Sequence, residues 1–219
     1  MEKLLQAWAK GLKQGLGNNL VSVILYGSTV RGEHVPARSD LNLMLVFKKI
    51  DLEQITKVGE LMPRKVRKQS PQLVFWTEEE LENSWDVFPL EFEDIRENHR
   101  CLVGKDLFKK RRIDKKHMRY QIEFELRSKL LNLRDSWLGI SRDKYALGTY
   151  LVKAGNSFDY LIRKANTVLG KKIVIPRDIF EKIKKLKKKE IRLKRSELQH
   201  LFHQLHEAVE SVVRNIDAA

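Results

Sequence analysis

A single cysteine in 219 residues, Cys101, leaves no intrachain disulfide and no multi-cysteine metal centre. That usage agrees with a reducing compartment. Cys101 sits in the apolar-leaning segment Arg100-Cys101-Leu102-Val103 and reads as a small buried side chain, not a nucleophile. No apolar stretch is long enough to span a bilayer. Near the N-terminus Leu4, Leu5, Trp8, Leu12 and Leu16 form an amphipathic helical stripe, and Lys3, Lys10 and Lys13 interrupt it, which is unlike a signal peptide. The expectation is a cytoplasmic protein with no membrane partner.

Acids are the scarcer charge: 29 Asp and Glu against 43 Lys and Arg leave a net charge of +14. The excess gathers in Lys109-Lys110-Arg111-Arg112 with Lys115-Lys116, and again from Lys182 to Arg195, where Glu190 is the only acid. Ile183, Leu186, Ile191 and Leu193 within the second run suit a bundle helix with a solvated outer face. Such runs also attract polyphosphate backbones. Aromatic residues do not interleave with these lysines, so nucleic-acid contact here would be non-specific, tracking phosphate and not sequence.

Strands are legible in the first half. Val21 to Tyr26 is a short β-branched apolar run stopped by Gly27, whose missing Cβ permits a tight turn. If a short helix starts at Ser28, its backbone N–H groups and the Ser28 hydroxyl converge on one point and can hold a phosphate. From Leu41 to Phe47 the alternation of Leu41, Leu43, Leu45 and Phe47 with Asn42, Met44 and Val46 predicts a strand with one face committed to the core. Asp40 and Asn42 share the other face, which is how a strand presents two oxygen ligands to Mg²⁺. Pro71 to Trp76 reads as a further strand, and Thr77-Glu78-Glu79-Glu80 as a capping box opening a helix.

Gly27-Ser28 followed by Asp40-x-Asn42 resembles the signature of the polymerase-beta-type nucleotidyltransferase superfamily, in which Gly-Ser precedes two acidic residues separated by one apolar residue. Asp86 to Ile95 resembles the strand that carries the family's third carboxylate. Arg100 to Phe108 resembles the family's Leu-x-Gly-x-Asp-Leu exit from the domain. The resemblance implies transfer of a nucleoside monophosphate from an NTP such as ATP to an acceptor hydroxyl, with Mg²⁺ as cofactor. It also implies roles. Asp40, Asn42 and Glu91 are the metal-ligating and catalytic set, and Gly27 and Ser28 hold the nucleotide. Arg38 is either a γ-phosphate partner or an exposed loop arginine. Glu93 competes with Glu91 as third carboxylate, since the two share a face if the segment is a strand.

Asn42 departs from the family pattern. An amide offers one neutral carbonyl oxygen and an NH₂ that would face a cation unfavourably, so Mg²⁺ should bind weakly. Two readings follow: a nucleotidyltransferase weakened or lost at this position, or a catalytically inactive nucleotide-binding regulatory module. A basic nucleic-acid-binding protein is the alternative from a different class.

Beyond Asp106 helix formers dominate. Tyr120, Ile122, Phe124, Leu126, Leu130, Leu131 and Leu133 suggest one long helix, and Leu147, Tyr150, Leu151, Ala154, Phe158, Leu161 and Ile162 a second closed by Gly170. Pro176 opens a third helix and Ser196 a fourth. The expected fold class is therefore α+β: a mixed β-sheet nucleotidyltransferase-like domain with flanking helices over residues 1–108, then an all-α helical bundle over 109–219. That bundle resembles the C-terminal domain of aminoglycoside nucleotidyltransferases. The acceptor stays unknown, and a homodimer is an open alternative to a monomer.

Overall fold

The computed structural model describes residues 1–30, 41–170 and 177–217. The chain divides into two compact units, Met1–Asp114 and Lys115–Ala219, so the basic run Lys109 to Arg112 belongs to the first. No described helix is long and apolar enough to cross a membrane.

The first unit is a four-stranded mixed sheet with helices on both faces. Its elements are α1 (Glu2–Leu16), β1 (Leu20–Tyr26), β2 (Asn42–Phe47), α2 (Leu52–Glu60), α3 (Arg64–Arg67), β3 (Gln72–Thr77), α4 (Glu78–Glu82), α5 (Pro89–Glu97) and β4 (His99–Gly104). The strand order is β3-β2-β1-β4. β1 pairs antiparallel with β2 and β4, and β2 pairs parallel with β3, through a crossover that contains α2 and α3.

The central strand β2 is covered on both faces, not one. Leu43, Leu45 and Phe47 enter a core formed with Leu5, Trp8 and Leu12 of α1, while Met44 and Val46 enter a second core with Leu81 and the α5 residues Phe92 and Ile95. Such two-sided burial is what a parallel pairing with crossover helices demands. Thr77 caps α4 as expected: its hydroxyl accepts from the Glu80 amide at 3.0 Å, and the Glu80 carboxylate accepts from the Thr77 amide at 2.8 Å.

One element differs in kind. The segment resembling a strand at Asp86 to Ile95 is largely the helix α5, with Pro89 in its first turn. Phe88, Leu90 and Phe92 alternate as a strand would, but the buried set is Pro89, Leu90, Phe92 and Ile95, and the three-residue step from Phe92 to Ile95 belongs to a helix. Proline favours the first helical turn, where its missing N–H breaks no bond. The strand that follows, β4, carries no carboxylate.

Asp106 fixes the exit from this unit. Its Oδ1 lies 2.9 Å from His99 Nε2 and accepts from the amides of Phe108 and Lys109 at 3.2 and 3.1 Å. Partial burial works against its charge, but the His99 hydrogen bond and charge together with the two amides outweigh it and hold the carboxyl below its usual value.

The second unit consists of α6 (Lys115–Ile140), α7 (Lys144–Leu169), α8 (Arg177–Lys187) and α9 (Arg195–Asp217). Gly170 ends α7 in a left-handed conformation, φ 61°. α7 packs against α6, α8 and α9. On α6 the buried side chains are Met118, Ile122, Leu126, Leu130 and Leu133, whereas Tyr120, Phe124 and Leu131, which share in the apolar pattern of the helix, are exposed. Pro176 lies outside the described residues.

Candidate functional site

β1 ends at Tyr26 beside the start of β2 at Asn42, and the start of β4 at His99 lies on the other side of Tyr26. This end of the sheet is where the chain turns at Gly27. The turn is a single 3₁₀ segment, Gly27–Thr29, closed by the Val30 amide on the Gly27 carbonyl at 3.0 Å. Gly27 has φ 82°, and a Cβ there would stand 2.9 Å from Asn42 Nδ2. The backbone angle favours glycine here, and the Asn42 amide folds over it. The Gly27 amide donates to the Asn98 carbonyl at 3.2 Å, so the corner is tied to the C-terminal end of α5.

α5 supplies the opposite wall. A cavity of about 360 Å³ is lined by Tyr26, Gly27, Asn42, Met44, Val74, Trp76, Phe88, Glu91, Phe92, Asp94 and Ile95. This volume is at the lower end of those that take small ligands. Its walls divide into a polar end, with Gly27, Asn42, Glu91 and Asp94, and an apolar side of Met44, Val74, Trp76 and Phe88. Trp76 Nε1 is buried and makes no hydrogen bond among the described residues. Burial pushes the Tyr26 hydroxyl above its ordinary pKa, so it stays a neutral donor and acceptor through the physiological range.

The structure brings together Gly27, Asn42 and Glu91, and leaves Glu93 off the cavity lining. A strand would have put Glu91 and Glu93 on one face; the helix turns them apart. Glu93 instead holds Arg96, Oε2 at 2.6 Å from Nε and Oε1 at 2.8 Å from Nη2. Helical spacing brings Asp94 in beside Glu91 three residues later. Asp94, Trp76 and Phe88 were missed as site residues in the sequence. The acidic i, i+3 pair is visible there, but only once the segment is read as helical. Ser28 is half-buried in the turn next to the cavity. Asp40 and Arg38 lie outside the described residues.

The donor set can be weighed for Mg²⁺. Among the described residues no group of three His, Cys, Asp or Glu side chains is placed to hold a metal ion. The cavity offers two carboxylates, Glu91 and Asp94, and the Asn42 amide. Hydrated Mg²⁺ takes one or two carboxylates and completes its shell with water and substrate phosphate, so this set fits a weakly held ion.

A larger cleft, about 860 Å³, opens at the opposite end of the sheet among Lys48, Glu78, Glu82, Trp85, Lys105, Asp106 and Arg111. Several of its charges answer one another: Lys105 Nζ is 2.7 Å from Glu78 Oε1, Arg111 pairs with Glu82, and Asp106 is held by His99. Cys101 is not among the residues lining either cavity, and its Sγ lies 3.6 Å from Ser22 Oγ. Burial, with the nearby Asp106 charge, raises its thiol pKa over the opposing Ser22 and Val103 hydrogen bonds, the reverse of what an activated nucleophile needs.

No family model matches the sequence, and no curated protein matches it. Solved structures that resemble the chain include two nucleotidyltransferase-type proteins. One is the spectinomycin adenyltransferase AAD(9) from Enterococcus faecialis, determined with ATP and spectinomycin, at TM-score 0.47 and 13% identity over 95% of this chain and 98% of that one. The other is a candidate nucleotidyltransferase from Sulfolobus solfataricus, at TM-score 0.29 and 21% identity over 38% of this chain and 72% of that one. Superpositions this loose decide nothing about chemistry, which rests on the cavity itself.

Proposed function

We propose that the cavity at the Gly27 corner is a nucleoside-triphosphate site of the nucleotidyltransferase type. The supporting observation is that Gly27, Asn42 and Glu91, which are far apart in sequence and were singled out there by motif, line one cavity. In this reading the Ser28 hydroxyl and the backbone following Gly27 hold the distal phosphates, and the base lies against Trp76 and Phe88. Asp40, Asn42 and Glu91 would hold Mg²⁺, which when bound neutralises phosphate charge and orients the triphosphate. The acceptor oxygen attacks the α-phosphorus, the bond to the bridging oxygen breaks, pyrophosphate leaves, and the Glu91 carboxylate takes the acceptor proton.

Asn42 favours a second reading, a regulatory module that binds nucleotide without turning it over. Its amide nitrogen is the side-chain atom next to the Gly27 corner, and an NH₂ there donates to a phosphate oxygen better than it tolerates a cation.

Both readings require nucleotide in the cavity, and Trp76 reports it. Added ATP with Mg²⁺ should change tryptophan fluorescence with a dissociation constant of roughly millimolar or tighter. The Trp76→Phe variant should lose most of the signal. Glu91→Gln should weaken binding severalfold if a shared Mg²⁺ bridges protein and phosphate. No saturable signal with any of the common nucleoside triphosphates would rule out the site.

A further inference from the structure

The second unit carries a separate feature that the N-terminal cavity does not use. α6 and α8 end, and α7 and α9 begin, at the same end of the bundle. Arg195 Nη1 reaches the Arg142 carbonyl at 3.5 Å, and Gln199 Nε2 donates to the Ser141 carbonyl at 2.8 Å, which sets the α8–α9 connection against the α6–α7 turn. Leu198 also lies beside Gly148. The connection leaves α8 by a reversal at Lys189, whose φ is 60°.

This end is almost wholly cationic. Lys184, Lys185, Lys187, Lys189, Arg192 and Lys194 are all exposed and make no ion pair among the described residues, and Arg142, Lys144 and Arg195 are exposed beside them. The local acids are engaged. Asp143 accepts from the Tyr145 and Ala146 amides at 2.8 and 3.0 Å, Glu190 lies 3.7 Å from Lys188, and Glu197 accepts from the Lys194 amide at 2.6 Å.

Solvation and helix polarity account for part of this charge and not the rest. Lysines in the last turns of α8 meet the negative end of its dipole, which stabilises them. Lys144, Lys194 and Arg195 do not. They stand at the beginnings of α7 and α9, where the dipole is positive and cations are disfavoured. Asp143 and Glu197 serve the helix starts themselves, so the fold sustains mutual repulsion among these cations in one place, and a polyanion relieves it. Tyr145, 84% exposed and adjacent to Lys144, adds an aromatic surface on the same turn. Phosphates alone would not call for a ring, but an unpaired base stacks on one.

We infer that this end of the bundle binds single-stranded nucleic acid, with the lysines and arginines on the phosphates and Tyr145 under a base. The contacts are sequence-independent, because no side chain arrangement here reads base edges.

The test uses the full chain, a fluorescein-labelled single-stranded RNA of mixed sequence, and anisotropy over a salt series, without nucleotide or Mg²⁺. Removing four phosphate contacts with Lys184→Gln, Lys185→Gln, Lys187→Gln and Lys189→Gln should weaken binding by at least about tenfold and flatten the log–log salt slope by about 3, at roughly 0.7 per phosphate. The same number of changes in the first unit, at Lys3, Lys10, Lys57 and Lys65, all exposed, controls for net charge and should do much less. Tyr145→Ala should cost about fivefold or more, and Tyr145→Phe should restore it. Equal losses in the two lysine variants, tighter binding of a duplex than of the single strand, or binding to phosphatidylserine vesicles with none to RNA would each overturn the assignment. Because no nucleotide enters the assay, the outcome is independent of the cavity in the first unit.

Discussion

Gly104→Ala is expected to destabilise the N-terminal unit by more than about 3 kcal/mol, a cost that combines a left-handed backbone with a backbone clash. Gly104 ends β4 at φ 87°, and a Cβ placed there would lie 1.9 Å from the Val21 carbonyl oxygen, 2.9 Å from its carbon and 3.1 Å from Ser22 Cα. Those are main-chain atoms of the neighbouring strand, not the end of a flexible side chain, so relief requires β1 and β4 to part. The Lys105 amide donates to the same Val21 carbonyl at 3.2 Å, and that bond would be lost with the separation. Ser22, fully buried, is paired with Gly104 in the ladder, so the disruption reaches the sheet interior. In urea the first unfolding midpoint should fall by about 1 M or more. A change below about 1 kcal/mol would mean that the strands do not approach as described.

Phe92→Ala should cost about 3–5 kcal/mol and, under the proposed function, abolish nucleotide binding with it. Phe92 is 2% exposed and is the hub of an aromatic cluster, its ring centroid 4.9 Å from Trp85, 5.8 Å from Trp76, 5.9 Å from Phe108 and 6.0 Å from Phe88. It is also the anchor by which α5 sits on Ile24, Met44 and Val46 of the sheet. Truncation leaves a cavity under the helix that carries Glu91 and Asp94, so stability and site geometry fail together. Glu93→Gln, on the same helix, is the contrast. Its partner Arg96 is partly exposed, and losing that pair should change stability by no more than about 1 kcal/mol. Denaturation with tryptophan fluorescence measures both variants. Equal effects would show that α5 is not held by its aromatic face.

What could be read from the sequence follows the strength of local signals. β1, β2 and β3 were legible because β-branched and aromatic runs end at Gly27, Lys48 and a capping box, and the helices of the second unit because their apolar spacing persists over many turns. α5 was misread because Phe88, Leu90 and Phe92 mimic a strand over the few residues in which the two periods are hardest to tell apart. Resemblance to a family strand reinforced the alternation against the plain signal of Pro89. That error carried into the site: Glu93 was placed beside Glu91, and Asp94 was passed over. Tyr120, Phe124 and Leu131 contribute to the apolar pattern that marks α6 yet stay exposed, since α6 is apolar on more of its circumference than its neighbours cover. The cationic end of the bundle was legible only as a run in sequence. Its convergence with Arg142, Lys144 and Tyr145 depends on helix packing, which composition does not encode.

The proposed function turns on Asn42 standing at a metal-ligand position in the cavity it shares with Glu91. The most direct measurement is titration of Mg²⁺, in the presence of ATP, into the native chain and into Asn42→Asp. Restoring a carboxylate should tighten Mg²⁺ binding about tenfold or more, worth ~1.4 kcal/mol, and Glu91→Gln in the same background should reverse the gain. If Asn42→Asp folds normally and binds Mg²⁺ no better than the native chain, the cavity at the Gly27 corner is not a metal–nucleotide site.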